Sequence, residues 1–207
     1  SMAGMGSQDM QMHWAKLVAA GAIVIVAVSC AKVADIPMPG FSSAAQWDNH
    51  PQGSAWTEAT VAALRTDGAD LISSVPGDVG AYCPAYAQAS PENRQAFWVG
   101  LVSGMAKYES GWNPLATGGG GKFLGLMQIS DDTAAQNGCA RGDGLLDGRA
   151  NLSCAVRIMS RQVAEDGAIF EGSTGGWRGM ARDWLPFRKK DVREDLASWT
   201  SKQSYCN

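Results

Sequence analysis

Residues 97–130 read FWVGLVSGMAKYESGWNPLATGGGGKFLGLMQIS, and this stretch decides the fold of the chain. Apolar side chains recur in its first part at positions 97, 98, 101, 102 and 105. That spacing places them on one face of a helix. Ser90 and Pro91 are a typical helix start, with a capping hydroxyl followed by proline at the first helical position. The sequence therefore predicts a helix that begins near Pro91, ends just past Ser110 and carries Glu109 in its last turn.

Glu109 stands at a place where a charged carboxylate is disfavoured. The carboxyl end of a helix is partially negative, and the helix that precedes Glu109 is apolar. Both features disfavour the ionised form, so we expect the pKa of Glu109 to lie above its usual value. A raised pKa lets a carboxyl group hold a proton near neutral pH, as a general acid must. Taken alone, however, the position of Glu109 fits an ordinary exposed glutamate at a frayed helix end better than it fits a catalytic acid.

Several short motifs near Glu109 resemble the soluble lytic transglycosylase family. Glu109 is followed by Ser110, an Asn-Pro pair stands at 113–114, and Gly-Leu-Met-Gln-Ile-Ser occupies 125–130. Asn151 resembles the asparagine that opens the long helix of the family. Because the motifs occur together in the family's order and spacing, their combination is specific. The resemblance covers about 97–159 and indicates a divergent branch of the family.

The resemblance implies a mainly α fold, a lysozyme-like helical domain of the goose-type lysozyme and SLT kind. It also implies that Glu109 is the catalytic acid and base and that Gln128 lines the sugar-binding cleft. The other residues expected to bind substrate are Ser110, Ser130, Asn151 and Trp177. The implied activity is cleavage of the β-1,4 bond between N-acetylmuramic acid and N-acetylglucosamine in peptidoglycan, with a 1,6-anhydro product.

The sequence departs from the family pattern at three places. Gly118 stands where relatives usually have a serine that contacts a sugar. Ser130 stands where an apolar residue often follows the glutamine. No tyrosine lies between Glu109 and Tyr205, whereas most relatives have a tyrosine after the long helix that bonds to the catalytic glutamate. These departures leave a lysozyme-type hydrolase open as an alternative, one that would prefer modified or deacetylated glycan.

Two further groups of residues bear on that alternative. A hydrolase more often uses a second carboxylate, roughly 5 to 9.5 Å from the first. The candidates are Asp131, Asp132, Asp143 and Asp147, of which the first two also suit a helix cap.

Trp112 and Trp177 are candidates to stack on sugar faces, and Trp177 fits either the cleft or the core. A catalytically silent glycan-binding lipoprotein is a third hypothesis, against which the intact Glu109 and Gln128 count.

The N-terminal region predicts export. Lys16 precedes a short apolar run at 17–29, which is too short to span a bilayer and is typical of a secretory signal. Ala-Val-Ser-Cys at 27–30 resembles a lipoprotein processing site, so we expect Cys30 to be lipidated and to attach the protein to a membrane. A plain cleaved signal is the first alternative, and a buried helix is the second.

The other four cysteines predict two disulfides, because their number is even and an exported protein meets an oxidising compartment. Among the three pairings that four cysteines allow, we prefer Cys139 with Cys154 and Cys83 with Cys206. The protein is thus expected in the periplasm or cell envelope, acting on the glycan strands of peptidoglycan. A role as a cell-wall opener for a secretion apparatus stays open.

The chain divides into three parts. We expect 1–30 to be a cloning remnant plus signal peptide, 31–53 a linker rich in Pro, Gly, Ser and Ala, and 54–207 the lysozyme-like domain. Further helices are expected at 54–72, 133–136, 151–170 and 191–202. Within the helix that carries Glu109, Gly100 and Gly104 predict close approach of a neighbouring helix or of substrate. No convincing run of alternating strand residues occurs.

The composition excludes several kinds of site. The formal net charge is −3, without the basic stripe of a nucleic-acid binder. The glycine loop at 118–121 lacks the Lys-Ser or Lys-Thr of a phosphate loop. The two histidines, His13 and His50, lie in the predicted leader and linker. We therefore expect no metal site and no cofactor.

Overall fold

The computed structural model describes residues 44–173 and 176–207. In this part the helices are α1 (Gly53–Arg65), α2 (Ala69–Ser73), α3 (Pro91–Ser110), α4 (Asp131–Gln136), α5 (Gly148–Asp166) and α6 (Lys190–Thr200). The strands are β1 (Thr117–Gly118), β2 (Phe123–Leu124), β3 (Ile129–Ser130), β4 (Phe170–Ser173) and β5 (Gly176–Gly179). The described part is thus mainly helical, as predicted.

Helix α3 has the predicted bounds and the predicted caps. The Ser90 hydroxyl accepts a hydrogen bond from the backbone N–H of Asn93 at 3.3 Å, and Pro91 takes the first helical position. At the other end, Gly111 adopts the left-handed conformation with φ 61° and donates its N–H to the Lys107 carbonyl at 3.0 Å. A glycine in this conformation is a common way to end a helix.

The middle of α3 is buried on every face, whereas the sequence pattern predicted one buried face. All residues from 95 to 106 are buried. Gly100 and Gly104 explain the difference, since a Cβ atom there would lie 2.2 Å from the Tyr205 hydroxyl and 2.5 Å from Leu196 Cδ2, respectively. The predicted close approach at these glycines therefore comes from α6 and the C-terminal turn.

The N-terminal part of the domain differs from the predicted 54–72 helix and 31–53 linker. The helix is interrupted after Arg65, and the turn that follows brings Gly68 against α5, where its Cβ atom would lie 2.7 Å from Val156. Residues 44–52 form turns that pack on the core, because Trp47 is fully buried and its indole N–H donates to the Thr57 hydroxyl at 2.9 Å. The predicted leader, the rest of the linker and Cys30 lie outside the described residues.

Two small antiparallel sheets were not expected from the sequence. Strands β1, β2 and β3 form one sheet in that order, with Leu124 opposite both Thr117 and Ile129. Strands β4 and β5 form a hairpin in which Gly172 pairs with Trp177. Strands of two to four residues are too short to show the alternation that marks a strand in a sequence.

Both preferred disulfides are present. Cys83 is joined to Cys206 with a Cα–Cα distance of 4.8 Å, and Cys139 is joined to Cys154 with 5.7 Å. The first ties the C-terminus to the segment before α3, and the second ties the loop after α4 to α5. Two disulfides fit an oxidising compartment. Across 44–173 and 176–207, no helix combines the length and the apolar character needed to cross a membrane.

The two disulfides should differ in their contribution to stability. The bridge between Cys83 and Cys206 spans 123 residues of sequence, and that between Cys139 and Cys154 spans 15. In the chain-entropy account, closing the longer loop stabilises by about 5 kcal/mol and closing the shorter by about 3 kcal/mol. Replacing both cysteines of a pair by alanine should therefore lower the urea midpoint more for the first pair. The reverse order would contradict this expectation.

Candidate active site

Glu109 occupies the last turn of α3, and its carboxyl group lies in an environment that favours the protonated form. Its Oε1 atom is buried and has no hydrogen-bond partner among the described residues. Burial raises the pKa of Glu109 to about 7, and the positive charge of Lys189 lowers it in part. The shift has the direction that the sequence predicts. At neutral pH the carboxyl group is therefore divided between its acid and base forms.

Asn151 holds the backbone of the segment that follows the glycine loop. Its Oδ1 accepts a hydrogen bond from the Met127 N–H at 2.8 Å, and its Nδ2 donates to the carbonyls of Leu124 and Leu145, both at 2.9 Å. The side chain is fully buried. The amide is thus used within the protein and positions this segment, and the expected contact of Asn151 with substrate stays a prediction.

Gly125 completes this arrangement. Its φ is 75°, and a Cβ atom there would lie 2.2 Å from the Leu145 carbonyl oxygen and 2.4 Å from Asn151 Nδ2. Only glycine adopts this conformation without cost and also allows so close an approach. The close contact with the Asn151 amide therefore explains why the first residue of the Gly-Leu-Met-Gln motif is a glycine.

Gln128 lies beside the glycine loop and is held in a strained conformation. Its φ is 47°, which is uncommon for a residue with a side chain. Its Nε2 donates to the carbonyls of Ala116 at 3.2 Å and Gly125 at 2.9 Å. Its Oε1 lies 2.3 Å from the place that a Cβ atom would take on Gly118. The serine found at this position in relatives would collide with Gln128 as it is placed here, so glycine at 118 and this glutamine conformation belong together.

The hydroxyls of Ser110 and Ser130 both bond within the protein. Ser110 Oγ donates to the Ala106 carbonyl at 3.1 Å, one turn back along α3. Ser130 Oγ accepts from the Thr133 N–H at 3.1 Å, so Ser130 caps α4. Asp131, which the sequence offered as a cap, instead lies in the first turn and accepts a hydrogen bond from the Gly142 N–H at 2.7 Å. The roles of the two serines in substrate binding stay predictions.

The two candidate tryptophans have different surroundings. The indole N–H of Trp112 donates to the Ser103 carbonyl at 2.9 Å, and its ring packs against the core. Trp177 lies on β5 and is 43% exposed, with the Arg188 guanidinium 5.5 Å from its ring centroid. Of the two alternatives for Trp177, the core is therefore excluded.

Asp183 is a carboxylate that the sequence analysis missed. It lines a small cavity of about 40 Å³ together with Gln128, Ser130 and Thr133, and it accepts a hydrogen bond from Gln162 Nε2 at 2.5 Å. Asp183 lies beyond the region of resemblance, in a segment without a recognisable motif. No feature of the sequence near it indicates a site.

The other aspartates that the sequence offered as a second carboxylate either cap a helix or are exposed. Asp147 caps α5 by accepting a hydrogen bond from the Ala150 N–H at 2.8 Å. Asp132 and Asp143 are exposed. Within 44–173 and 176–207, no cluster of three or more His, Cys, Asp or Glu side chains is arranged to hold a metal ion.

The role assigned to Asn151 predicts a large loss of stability when its amide is removed. Asn151→Leu leaves the Met127 N–H and two backbone carbonyls without partners, and each unpaired buried group costs about 1–3 kcal/mol. We expect the free energy of unfolding to fall by about 3–5 kcal/mol in urea titrations. Asn93→Leu, on the exposed start of α3, should change it by less than about 0.5 kcal/mol. A similar effect of the two substitutions would refute the positioning role.

Glu109 should destabilise the folded protein above neutral pH. Its pKa is about 7 in the folded state against an ordinary value of 4.5, so the folded state binds the proton more tightly. The resulting stabilisation is complete below pH 4.5 and is lost as the pH rises to 7. Glu109→Gln lacks this titration. The stability of the variant relative to wild type should therefore increase between pH 5 and pH 8, by on the order of 2 kcal/mol. A difference that does not change with pH would contradict the burial of this carboxyl group.

Comparison with known proteins agrees with this geometry. Residues 87–171 match the family model described as "Transglycosylase SLT domain". No curated protein sequence matches the chain. Among solved structures, a wild-type form of DslA has a TM-score of 0.73 and 30% identity, and the match covers 79% of this chain and 98% of that chain.

Two variants of DslA, each with a different glutamate replaced by glutamine, are also similar. Their TM-scores are 0.72 and 0.71 at 30% and 29% identity, and each match covers 79% of this chain and 97% of that chain. The predicted fold, a mainly α, lysozyme-like domain with two disulfides, is confirmed. The chain belongs to the transglycosylase SLT domain family.

Proposed function

We propose that this protein is a peptidoglycan lytic transglycosylase, which cleaves the β-1,4 bond between N-acetylmuramic acid and N-acetylglucosamine. The observation that carries the proposal is the state of Glu109. Its Oε1 is buried without a partner among the described residues, and its pKa is raised to about 7. A carboxyl group in this state can donate a proton and take one back at neutral pH. Its place within the SLT domain match supports peptidoglycan as the substrate.

The proposed reaction uses this one carboxyl group twice. Protonated Glu109 donates to the glycosidic oxygen as the bond from that oxygen to C1 of the muramyl residue breaks. The N-acetyl group of the substrate relieves the positive charge that develops at C1. The Glu109 carboxylate then takes the proton from the muramyl 6-hydroxyl as the oxygen of that hydroxyl bonds to C1 and closes the 1,6-anhydro ring. Glu109 ends protonated, and no water is consumed.

The surroundings of Glu109 suit both stages. Burial favours the protonated form needed for the first proton transfer. Once the proton has left, the positive charge of Lys189 limits the cost of the carboxylate. The exposed ring of Trp177, near the same segment, offers a face on which a sugar ring can stack. We place Gln128 on the cleft as well, with its Oε1 directed at the glycine loop.

A hydrolase on the same fold is the second candidate, and Asp183 favours it. A carboxylate that shares a cavity with Gln128 is a candidate for the second carboxyl group that many lysozymes use to stabilise charge or activate water. In this reaction water adds to C1 and the product has a reducing end. A silent glycan-binding protein has no use for a carboxyl group whose pKa is raised by burial.

The proposal includes export to the periplasm or cell envelope, where peptidoglycan lies. The two disulfides support an oxidising compartment. Attachment to a membrane through a lipidated Cys30, and service to a secretion apparatus, are further parts of the proposal that rest on the sequence alone.

Digestion of peptidoglycan in heavy-oxygen water separates the two candidates. Ring closure leaves the muramyl product unlabelled and lighter by one water than a reducing sugar, whereas hydrolysis places the label on the new reducing end. We expect unlabelled anhydro products by mass spectrometry. Glu109→Gln should slow product formation by about 10²–10⁴-fold, the usual contribution of general acid–base catalysis.

The matched control is Glu58→Gln, which replaces an exposed glutamate on α1 and should leave the rate unchanged. Quantitative incorporation of label would contradict transglycosylation and leave Glu109 as the acid of a hydrolase. A Glu109→Gln variant as fast as wild type would remove the site assignment altogether.

A further inference from the structure

Asp183 is a carboxylate for which the proposed reaction has no chemical step, because Glu109 performs both proton transfers. Asp183 nevertheless lines the cavity of about 40 Å³ that it shares with Gln128, Ser130 and Thr133. Glu109 is not among the residues that line this cavity. The carboxylate of Asp183 is therefore placed for contact with a ligand in a cavity that the acid does not share.

The Asp183 carboxylate is held by a buried amide. Gln162 lies on α5 and is only 2% exposed, and its Nε2 donates a hydrogen bond to Asp183 Oδ2 at 2.5 Å. Its Oε1 is buried and has no hydrogen-bond partner among the described residues. An unpaired buried oxygen destabilises the fold, and an apolar side chain of similar size would avoid that loss. The strong bond to a carboxylate offsets the loss, so this amide serves to place Asp183.

The backbone next to Asp183 is fixed to the segment that leads into Gln128. Trp184 is 2% exposed, and its indole N–H donates to the Met127 carbonyl at 3.0 Å. The Met127 N–H is bonded in turn to Asn151 Oδ1 at 2.8 Å. Side chains from two different elements therefore hold both sides of the same residue. Asp183 and Gln128 thus keep a constant position relative to each other.

The size and the chemistry of the cavity narrow the group that it can bind. A water molecule needs about 10–15 Å³, so a cavity of about 40 Å³ admits a group of two or three heavy atoms. The Asp183 carboxylate can only accept hydrogen bonds. Thr133 Oγ1 accepts from Ser130 Oγ at 3.0 Å, which leaves the Thr133 proton to be donated elsewhere. Ile158 and Trp184 supply apolar surface. A hydroxymethyl group has this size, donates and accepts through its hydroxyl and carries an apolar carbon.

We propose that this cavity binds the hydroxymethyl group of a sugar ring of the substrate, with Asp183 accepting a hydrogen bond from the 6-hydroxyl. Thr133 donates to the same hydroxyl, and the C6 atom packs against Ile158. Gln162 is a positioning residue, which acts on the sugar through Asp183. A glycan as the ligand rests on the proposed function. Because the 6-hydroxyl bound here keeps its proton, it belongs to a different ring from the muramyl residue that forms the anhydro product.

Direct binding tests the site without any glycan cleavage. The β-1,4-linked tetrasaccharide of N-acetylglucosamine is titrated into the full chain carrying Glu109→Gln and followed by calorimetry. We expect saturable binding that Asp183→Ala weakens by about tenfold or more. The same tetrasaccharide with fluorine in place of its 6-hydroxyls cannot donate there and should bind more weakly, and Asp183→Ala should reduce that difference. Asp70→Ala, at an exposed aspartate on α2, is the control and should bind as before.

The positioning role of Gln162 is tested by combining two substitutions. Gln162→Met nearly keeps the volume and removes the amide, so it should weaken binding by about threefold or more. It should have no further effect when Asp183→Ala is also present. A merely structural role would give the same loss in both backgrounds. If urea titration shows that Gln162→Met does not fold, Gln162→Glu sets a second carboxyl group against Asp183 and is measured in the same way.

Kinetics separate binding from chemistry. On peptidoglycan, Asp183→Ala should raise KM and leave kcat nearly unchanged. A fall in kcat of about 10²-fold or more with KM unchanged would make Asp183 the second carboxylate of a hydrolase and overturn the binding role. Equal binding of the tetrasaccharide with and without Asp183→Ala, or no binding at millimolar concentration, would also overturn it, even when the protein cleaves glycan. Binding that depends on Asp183 in a protein that does not cleave glycan would sustain the site and contradict the proposed function.

Discussion

The middle of α3 is enclosed by the rest of the domain, and the position of Glu109 depends on that enclosure. Gly100 and Gly104 let the C-terminal turn and α6 approach so closely that a methyl group at either position would collide with them. The disulfide between Cys83 and Cys206 holds that C-terminal turn in place from the other side of the chain. A helix fixed over its whole middle has little freedom at its end. The carboxyl group in its last turn is therefore held by packing, without a hydrogen bond to Oε1 from the described residues.

A second set of contacts fixes the segment that leads into Gln128. The Asn151 amide bonds to three backbone groups around the segment 124–127, and Gly125 gives it the room to do so. That segment leads directly into Gln128, whose side chain folds back over it and takes the space above Gly118. Motif residues that look separate in the sequence thus depend on one another. A change at Gly125 or Asn151 would move Gln128 without touching it.

The sequence predicted what depends on local chemistry and missed what depends on packing. The bounds of α3 follow from Ser90, Pro91 and Gly111, and all three act as expected. The disulfide pairings and the raised pKa of Glu109 also followed from sequence position. The break after Arg65 could not be foreseen, because the reason for it is the contact of Gly68 with α5, nearly ninety positions further along the chain.

The same division applies to the site. Resemblance marked Asn151 as a functional residue, but only its buried contacts distinguish a positioning role from a substrate contact. Asp183 carries no motif and lies in a segment of short turns, so its position beside Gln128 arises from the fold alone.

The absence of the family's tyrosine changes how the acid is tuned. In relatives a phenolic hydroxyl bonds to the glutamate, and a donor in that place stabilises the carboxylate and lowers its pKa. In this chain Trp177 follows the long helix where relatives have the tyrosine, and its indole N–H could only donate a hydrogen bond. Trp177, however, is exposed on the hairpin of β4 and β5, and its ring faces Arg188. Among the described residues no donor reaches Glu109 Oε1, so burial raises the pKa of Glu109 and only the positive charge of Lys189 lowers it in part. A charge acting at a distance favours the carboxylate without a hydrogen bond to either of its oxygens, and in the proposed mechanism the same carboxyl group serves first the leaving oxygen and then the 6-hydroxyl.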